Sequence, residues 1–193
     1  MSKSPEAGDR ELAELALQLG RVAYAGCCAG GLTHGQSAAL RYFARANRFS
    51  RTVSAFADYH ATTRATASQT VSTLVDQGYL SRHRSQRDGR STRFDLTQRS
   101  RKLLQDDPFA SVVAAAQQLS PSARGKTAQC LRKMLAELAA VSGRSLFGLC
   151  PRCQHLQIVE VQTPEIYACG LLEEPLEPEE TSQICGHFVP KAG

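Results

Sequence analysis

Residues 79–96, YLSRHRSQRDGRSTRFDL, constrain the fold more than any other stretch. Two short runs, YLSRHR (79–84) and STRFDL (91–96), flank QRDG at 86–89. Asp-Gly between two such runs predicts a tight antiparallel hairpin. Helical patterns surround it. In residues 9–28, Leu12, Leu15, Leu19 and Val22 recur at three- and four-residue steps, which places them on one helix face. Thr33 caps a second helix, GQSAALRYFARAN, with Leu40, Phe43 and Ala44 facing inward. A short third helix follows Ser50 and turns Val53, Phe56 and Ala57 inward. Thr62 or Thr63 caps a fourth, whose buried stripe is Ala67, Val71 and Leu74 and whose end is Gly78. After the hairpin, Thr97 caps QRSRKLLQDD, Pro108 interrupts, and FASVVAAAQQL continues. Ser120-Pro121 then opens a helix over 121–142, with Ala128, Leu131, Leu135 and Leu138 on one face and Gly143 closing it.

Three helices, a fourth, and then a two-stranded hairpin is the order of a winged helix-turn-helix. The expected fold class is therefore mainly α with a small β-hairpin wing (α+β). Flanking dimerisation helices and a Cys-rich, metal-bound tail complete it. The expected divisions are an N-terminal dimerisation helix at 1–31, the winged helix-turn-helix at 32–107, C-terminal dimerisation helices at 108–143 and the tail at 144–193. That chain length suits one domain with a small appendage.

Charge supports a polyanion partner. Between Arg41 and Lys102 there are thirteen Lys and Arg against four Asp, whereas Glu160 to Glu180 holds seven Glu and no Lys or Arg. A solvated charged face is the alternative for the bias alone. On the fourth helix, Arg64, Ala65, Thr66, Ser68, Gln69 and Ser72 lie opposite the buried stripe, and no acid occurs from Arg64 to Val75. Small and hydrogen-bonding side chains can enter a major groove and reach base edges. The hairpin adds Arg82, Arg84, Arg87, Arg90 and Arg93 for phosphates or a minor groove. The expected DNA contacts are Arg64, Thr66, Ser68, Gln69, Ser72, Arg84, Arg87 and Arg90, with Asp88 shaping the wing.

LTHGQSAALRYFARAN and TVSTLVDQGYLSRHRSQRDGRSTRFDLTQRSRKLL, with the long flanking helices, resemble the MarR (multiple antibiotic resistance regulator) family over roughly residues 10–142. The most specific stretch is Asp88-Gly89-Arg90 followed by Leu96-Thr97. The resemblance implies a DNA-binding regulator in which the wing Asp orients arginines and Arg90 contacts the minor groove. It also implies an obligate homodimer with recognition helices about one DNA turn apart. A small phenolic effector is a further partner of many relatives. The sequence departs from the family in ATTRATAS, which lacks a hydrophobic residue there, and in Thr70, where Leu is usual.

From Leu146 onward helical periodicity stops. Cys150, Cys153, Cys169 and Cys185 form C-x2-C-x15-C-x15-C, with Gly170 and Gly186 directly after the last two. Such a glycine leaves room for a backbone N–H to approach a thiolate sulfur. A short tail of this composition cannot build a large core, and a metal closing its loops is the expected remedy. Four thiolates suit tetrahedral zinc or an iron–sulfur cluster. The single CxxC and the apolar Leu149, Leu171, Ile184 and Phe188 tilt the reading narrowly to iron–sulfur; the commonness of zinc tilts it back. Unrelated free cysteines and a Cys150/Cys153 disulfide are the alternatives, and His155 and His187 are substitute ligands. The state of the tail is expected to reposition the terminal helices. Cys27, Cys28 and Cys130 read as small buried hydrophobes near the dimer interface, or as a thiol switch.

No apolar run is long enough to span a bilayer, and MSKSPEAGDRE has no apolar signal core, so a cytoplasmic protein is expected. GxGxxG, P-loop and HExxH motifs are absent from the sequence, which speaks against an enzyme. The competing functions are a metal-binding electron carrier and a scaffold that uses the acidic tail.

Overall fold

Local capping chemistry sets where the helices begin. In a computed structural model, which describes residues 6–25, 31–84, 92–159 and 166–191, α1 spans Ala7–Ala25 and α2 spans His34–Arg45. Thr33 and Gln36 form a reciprocal capping box: the Gln36 N–H donates to Thr33 Oγ1 at 3.3 Å and the Thr33 N–H to Gln36 Oε1 at 2.8 Å. Helix α3 (Val53–Tyr59) is capped by Thr52 and α4 (Arg64–Asp76) by Thr63. Gly78, at φ +72°, ends α4 in the left-handed conformation that a side chain would disfavour.

Strands β1 (Leu80–Arg84) and β2 (Thr92–Leu96) pair antiparallel, with Leu80 opposite Leu96 and Arg82 opposite Phe94. Thr97 caps α5 (Gln98–Leu103), and a short 3₁₀ turn leads to α6 (Phe109–Gln117). Ser120 caps α7 (Pro121–Ser142), which Gly143 closes at φ +63°. The hairpin tip, with Arg87, Asp88, Gly89 and Arg90, lies outside the described residues, as do Cys27 and Cys28.

The core lies among α2, α3, α4 and the hairpin. Leu40, Tyr42, Phe43, Phe56, Ala67, Val71, Leu74 and Phe94 pack into one cluster. The expected inward residues of α4 are all there. On α2 the structure adds Tyr42, whose hydroxyl donates to the Ser50 carbonyl at 2.7 Å, while Ala44 is only half-buried. Removing Leu40 or Phe43 from water contributes about 1.5–3 kcal/mol each.

Helices α1, α6 and α7 differ. Their apolar periodicity is real, yet α6 and α7 bury no residue within the chain. Leu12, Val22, Leu135 and Leu138 are about half exposed or more. Helix α1 meets the end of α3 through Tyr24, whose hydroxyl lies 3.3 Å from His60 Nδ1.

Past Gly143 the chain forms a second small sheet, β3 (Leu156–Val159), β4 (Ile166–Cys169) and β5 (Glu174–Leu176), antiparallel in the order β3-β4-β5. Its interior is Leu172 and Leu176 with the cysteines. The tail docks on the segment joining α2 to α3. The Ile184 N–H donates to the Arg45 carbonyl at 2.7 Å, and the Asn47 N–H to the Ile184 carbonyl at 2.9 Å. Ile184 and Phe147 extend the winged-helix core, and Phe147 meets Tyr59 edge-on at 5.1 Å.

Candidate nucleic-acid interface and thiol cluster

The cap at Thr63 and the buried stripe of α4 determine what the opposite face presents. Arg64, Thr66, Ser68, Gln69 and Ser72 are all exposed there. Thr66 Oγ1 is engaged with Thr63 Oγ1 at 2.8 Å. The side chains of Arg64, Ser68, Gln69 and Ser72 have no hydrogen-bond partner among the described residues, so their donors and acceptors face solvent. Ser68 and Ser72 line an open cleft of about 510 Å³ together with Ser54, Arg82 and Thr92. Asp76 lines it as well, so the carboxylate-free character holds along α4 only up to its last residue. Arg84 is exposed at the end of β1. Arg82 was outside the expected contact set, although strand alternation puts it beside that cleft.

An arginine-orienting carboxylate is present at Asp95. Its Oδ1 accepts from Arg51 Nη1 at 2.7 Å, its Oδ2 lies 3.2 Å from Arg93 Nη2, and His83 Nε2 is 3.8 Å away. Burial works against the charged form of Asp95. The Arg51 hydrogen bond and the cations of Arg93, Arg51 and His83 outweigh it and hold the carboxyl below its ordinary range. The family resemblance gave such a role to Asp88. Asp95 carried no motif signal beyond its place two residues before the Thr97 cap.

The four tail cysteines come from three segments and line one small cavity. Cys150 and Cys153 sit on a 3₁₀ turn, Cys169 ends β4 opposite Leu156, and Cys185 is bridged to Gly148. A second bridge, Cys153 with Pro190, ties the first turn to the end of the chain. His155 and His187 line the same cavity. All four are free thiols, three buried and Cys169 half-buried. Burial pushes the Cys150 thiol up to about 11, and the neighbouring Cys185, Cys153 and Cys169 add to the shift. Among the described residues no three His, Cys, Asp or Glu side chains stand in the close arrangement of a formed metal site. Cys130 is exposed on α7.

Hydrogen bonding to Cys185 differs from the sequence expectation. Burial holds the Cys185 thiol above its ordinary pKa, and hydrogen-bonding influence from the Asn47 side chain, the His187 backbone N–H and the Ser50 hydroxyl offsets that only in part. The N–H of Gly186 donates instead to Ser50 Oγ at 2.8 Å, and that of Gly170 to the His155 carbonyl at 2.8 Å. Gly186 is needed for close packing: a Cβ there would lie 2.9 Å from the Phe147 ring. Asn47 and Ser50 were missed because they read as ordinary turn residues.

The class of fold is a winged helix with flanking helices and an added sheet. A family model described as MarR family matches residues 30–91. Solved structures share the fold. One is a MarR transcriptional regulator from Methanosarcina mazei Go1, 21% identical, covering 68% of this chain and 99% of that one, with a TM-score of 0.53. Another is Sco3205, a MarR family transcriptional regulator from Streptomyces coelicolor in complex with DNA, at 19%, 71%, 91% and 0.53. The MepR–DNA complex of S. aureus gives 20%, 69%, 99% and 0.51. No curated protein matches. The likenesses extend over nearly the whole of those chains and leave close to a third of this one beyond them. No described helix is long and apolar enough to cross a membrane.

Proposed function

We propose that this chain is a DNA-binding transcriptional regulator of the MarR kind, acting as a homodimer. The observation that carries the reading is the exposed face of α4. Arg64, Ser68, Gln69 and Ser72 present unengaged donors and acceptors with no carboxylate before Asp76, and Ser68 and Ser72 share a cleft with Arg82. Solvated helix faces ordinarily carry Glu and Lys; this one suits a phosphate-lined groove. The sequence and its family resemblance assign DNA contact to Arg87 and Arg90 and wing shaping to Asp88, which lie outside the described residues. The outward apolar faces of α1, α6 and α7 supply the surface for a second copy, and a two-fold pair presents two recognition helices to adjacent major-groove segments. The solved DNA complexes of Sco3205 and MepR share the fold and support the same reading.

In this reading the tail thiols hold a metal centre that controls DNA affinity. Four soft donors from three segments around one cavity support it. Four thiolates suit either a single tetrahedral zinc or an iron–sulfur cluster. The test of the DNA reading is binding of the full-length protein to duplex fragments over a series of salt concentrations. The expected result is retention at low salt with a steep negative slope of log K against log salt. Unretarded migration at low ionic strength overturns it. Metal and sulfide content after anaerobic purification tests the tail.

A further inference from the structure

We infer that the Cys185 end of the thiol centre is completed by the DNA-binding lobe itself, through Asn47 and Ser50, and that the 46–52 turn passes the occupancy of that centre to the wing. This deepens the metal reading above and rests on it. Both side chains are buried in the segment between α2 and α3. Asn47 lines the thiol cavity beside Cys185, Ser50 Oγ accepts from the residue that follows Cys185, and both side chains work against the rise that burial gives the Cys185 thiol. Their orientation is built in. The Ser50 N–H donates to Asn47 Oδ1 at 3.1 Å, which leaves the Asn47 amide nitrogen as the donor toward sulfur. Ser50 Oγ accepts the Gly186 N–H at 2.8 Å, so its own hydrogen is directed elsewhere. The Ser50 carbonyl is fixed by the Tyr42 hydroxyl at 2.7 Å. Donors to a ligand sulfur stabilise its negative charge when a metal replaces the thiol proton, and such partners change metal affinity about 10- to 100-fold.

The same turn carries the wing on its other side. The Arg51 carbonyl accepts the Phe94 N–H at 2.9 Å, and Arg51 Nη1 bonds Asp95. Arg51 Nε returns to the Ala46 carbonyl at 2.9 Å, next to the Ile184 bridge. A change at Cys185 would therefore reach β2 through the hydrogen-bonded 46–52 turn, in which Ala46, Asn47 and Ser50 are buried. This route differs from the one expected through the terminal helices. The turn is bonded to both sites; coupling also requires that it take two arrangements biased by the centre, which amide exchange at Phe94 with and without Zn2+ reads out.

The test uses full-length, reduced protein and Co2+ as the spectroscopic probe, with Zn2+ in competition. Asn47→Asp keeps the acceptor for the Ser50 N–H and removes the donor to sulfur; Ser50→Ala removes the other donor and leaves the Ser50 carbonyl. Each variant that retains the wild-type circular dichroism is expected to bind Co2+ at least tenfold more weakly, with a shifted sulfur-to-cobalt charge-transfer band. In the wild type, Zn2+ is expected to slow amide exchange at Phe94 severalfold, and in the variants it is not. Wild-type cobalt affinity and spectrum in a folded variant, or a Phe94 amide indifferent to Zn2+ in the wild type, overturns this inference and leaves the metal reading standing. Failure of the wild type to bind Co2+ at all overturns the metal reading, and this inference with it.

Discussion

Arg51 Nη1 lies 2.7 Å from Asp95 Oδ1, across the gap between the α2–α3 turn and the second strand of the wing. Both side chains are about four-fifths buried, and Arg93 closes on the other carboxylate oxygen at 3.2 Å. The pair thus fixes the base of the hairpin to the helical core.

Asp95→Asn should destabilise the protein at neutral pH by about 1–2 kcal/mol, the size of a hydrogen bond to a charged group. The folded-state pKa of Asp95 is held below its ordinary 3.8. Its contribution is therefore full above the unfolded value and is lost as pH falls through the folded one. Urea unfolding at pH 7 and at a series of pH values below 3.8 checks this: the difference between the wild type and Asp95→Asn should be full at pH 7 and shrink steadily as the pH falls below 3.8.

His60 titrates in a different window. Burial, helped by the Arg41 cation, pushes its pKa down to about 4 from 6.5. Phe56, Tyr59 and Tyr42 surround the ring. The unfolded chain then takes up the proton first, so stability falls as pH drops from about 6.5 toward 4. His60→Phe should flatten the pH profile over that interval while leaving the step below pH 4 assigned to Asp95.

Arg84→Ala and Gln69→Ala should separate phosphate contact from base reading. The arginine variant is expected to weaken binding to all duplexes and reduce the salt slope by about one. The glutamine variant should leave the slope unchanged and cost about 1–3 kcal/mol on the operator alone. Titrations against operator and unrelated duplex at three salt concentrations distinguish the two.

How much of this was legible in the sequence depends on distance along the chain. Caps at Thr33, Thr63, Thr97 and Ser120 could be read because each bonds an amide three residues away. The Ala67, Val71 and Leu74 stripe could be read because burial imposes helical spacing. The Leu12 to Val22 pattern was legible as a helix face, while its partner surface has no signature within one copy. Docking of the tail was not legible. Ala46 and Ile184 pair through backbone groups, which every residue carries, so the bridge leaves no mark on residue type. Asn47 and Ser50 resemble any polar turn until Cys185 is placed beside them. The spacing of the four cysteines could be read as a set, and they line one cavity, but their attachment to the DNA-binding lobe is a tertiary fact.

Gly148 and Gly186 should be intolerant of alanine. A Cβ on Gly148 would stand 2.6 Å from the Phe188 ring, and one on Gly186 would stand 2.9 Å from the Phe147 ring. The Phe147 ring belongs to the seam between the tail and the rest of the chain, and Phe188 packs on Gly148 within the tail. Relieving either clash requires moving an aromatic ring, at a cost of about 1–3 kcal/mol. Gly148→Ala should raise protease sensitivity between residues 144 and 191 and leave the 32–107 region protected, which peptide mapping by mass spectrometry would show.

Arg48 is the ionic fastening of the tail. Its guanidinium pairs with Glu180 and lies 3.7 Å from Glu174, donates to the Pro175 carbonyl, and stacks 4.4 Å above the Phe49 ring. The side chain is 28% exposed and that of Glu180 12%, so solvent screens this pair less than a surface one. Removing the arginine leaves the largely buried Glu180 carboxylate without its cation and also removes a stacked plane from Phe49. Arg48→Ala should therefore loosen the tail by about 1–3 kcal/mol, while Arg48→Lys, which keeps the charge but not the planar fork, should recover only part of it. Amide exchange is the measurement: peptides covering 174–186 should exchange faster in Arg48→Ala, those covering α4 should not, and equal rates in 174–186 for all three proteins would show that the ion pairs do not hold the tail in place.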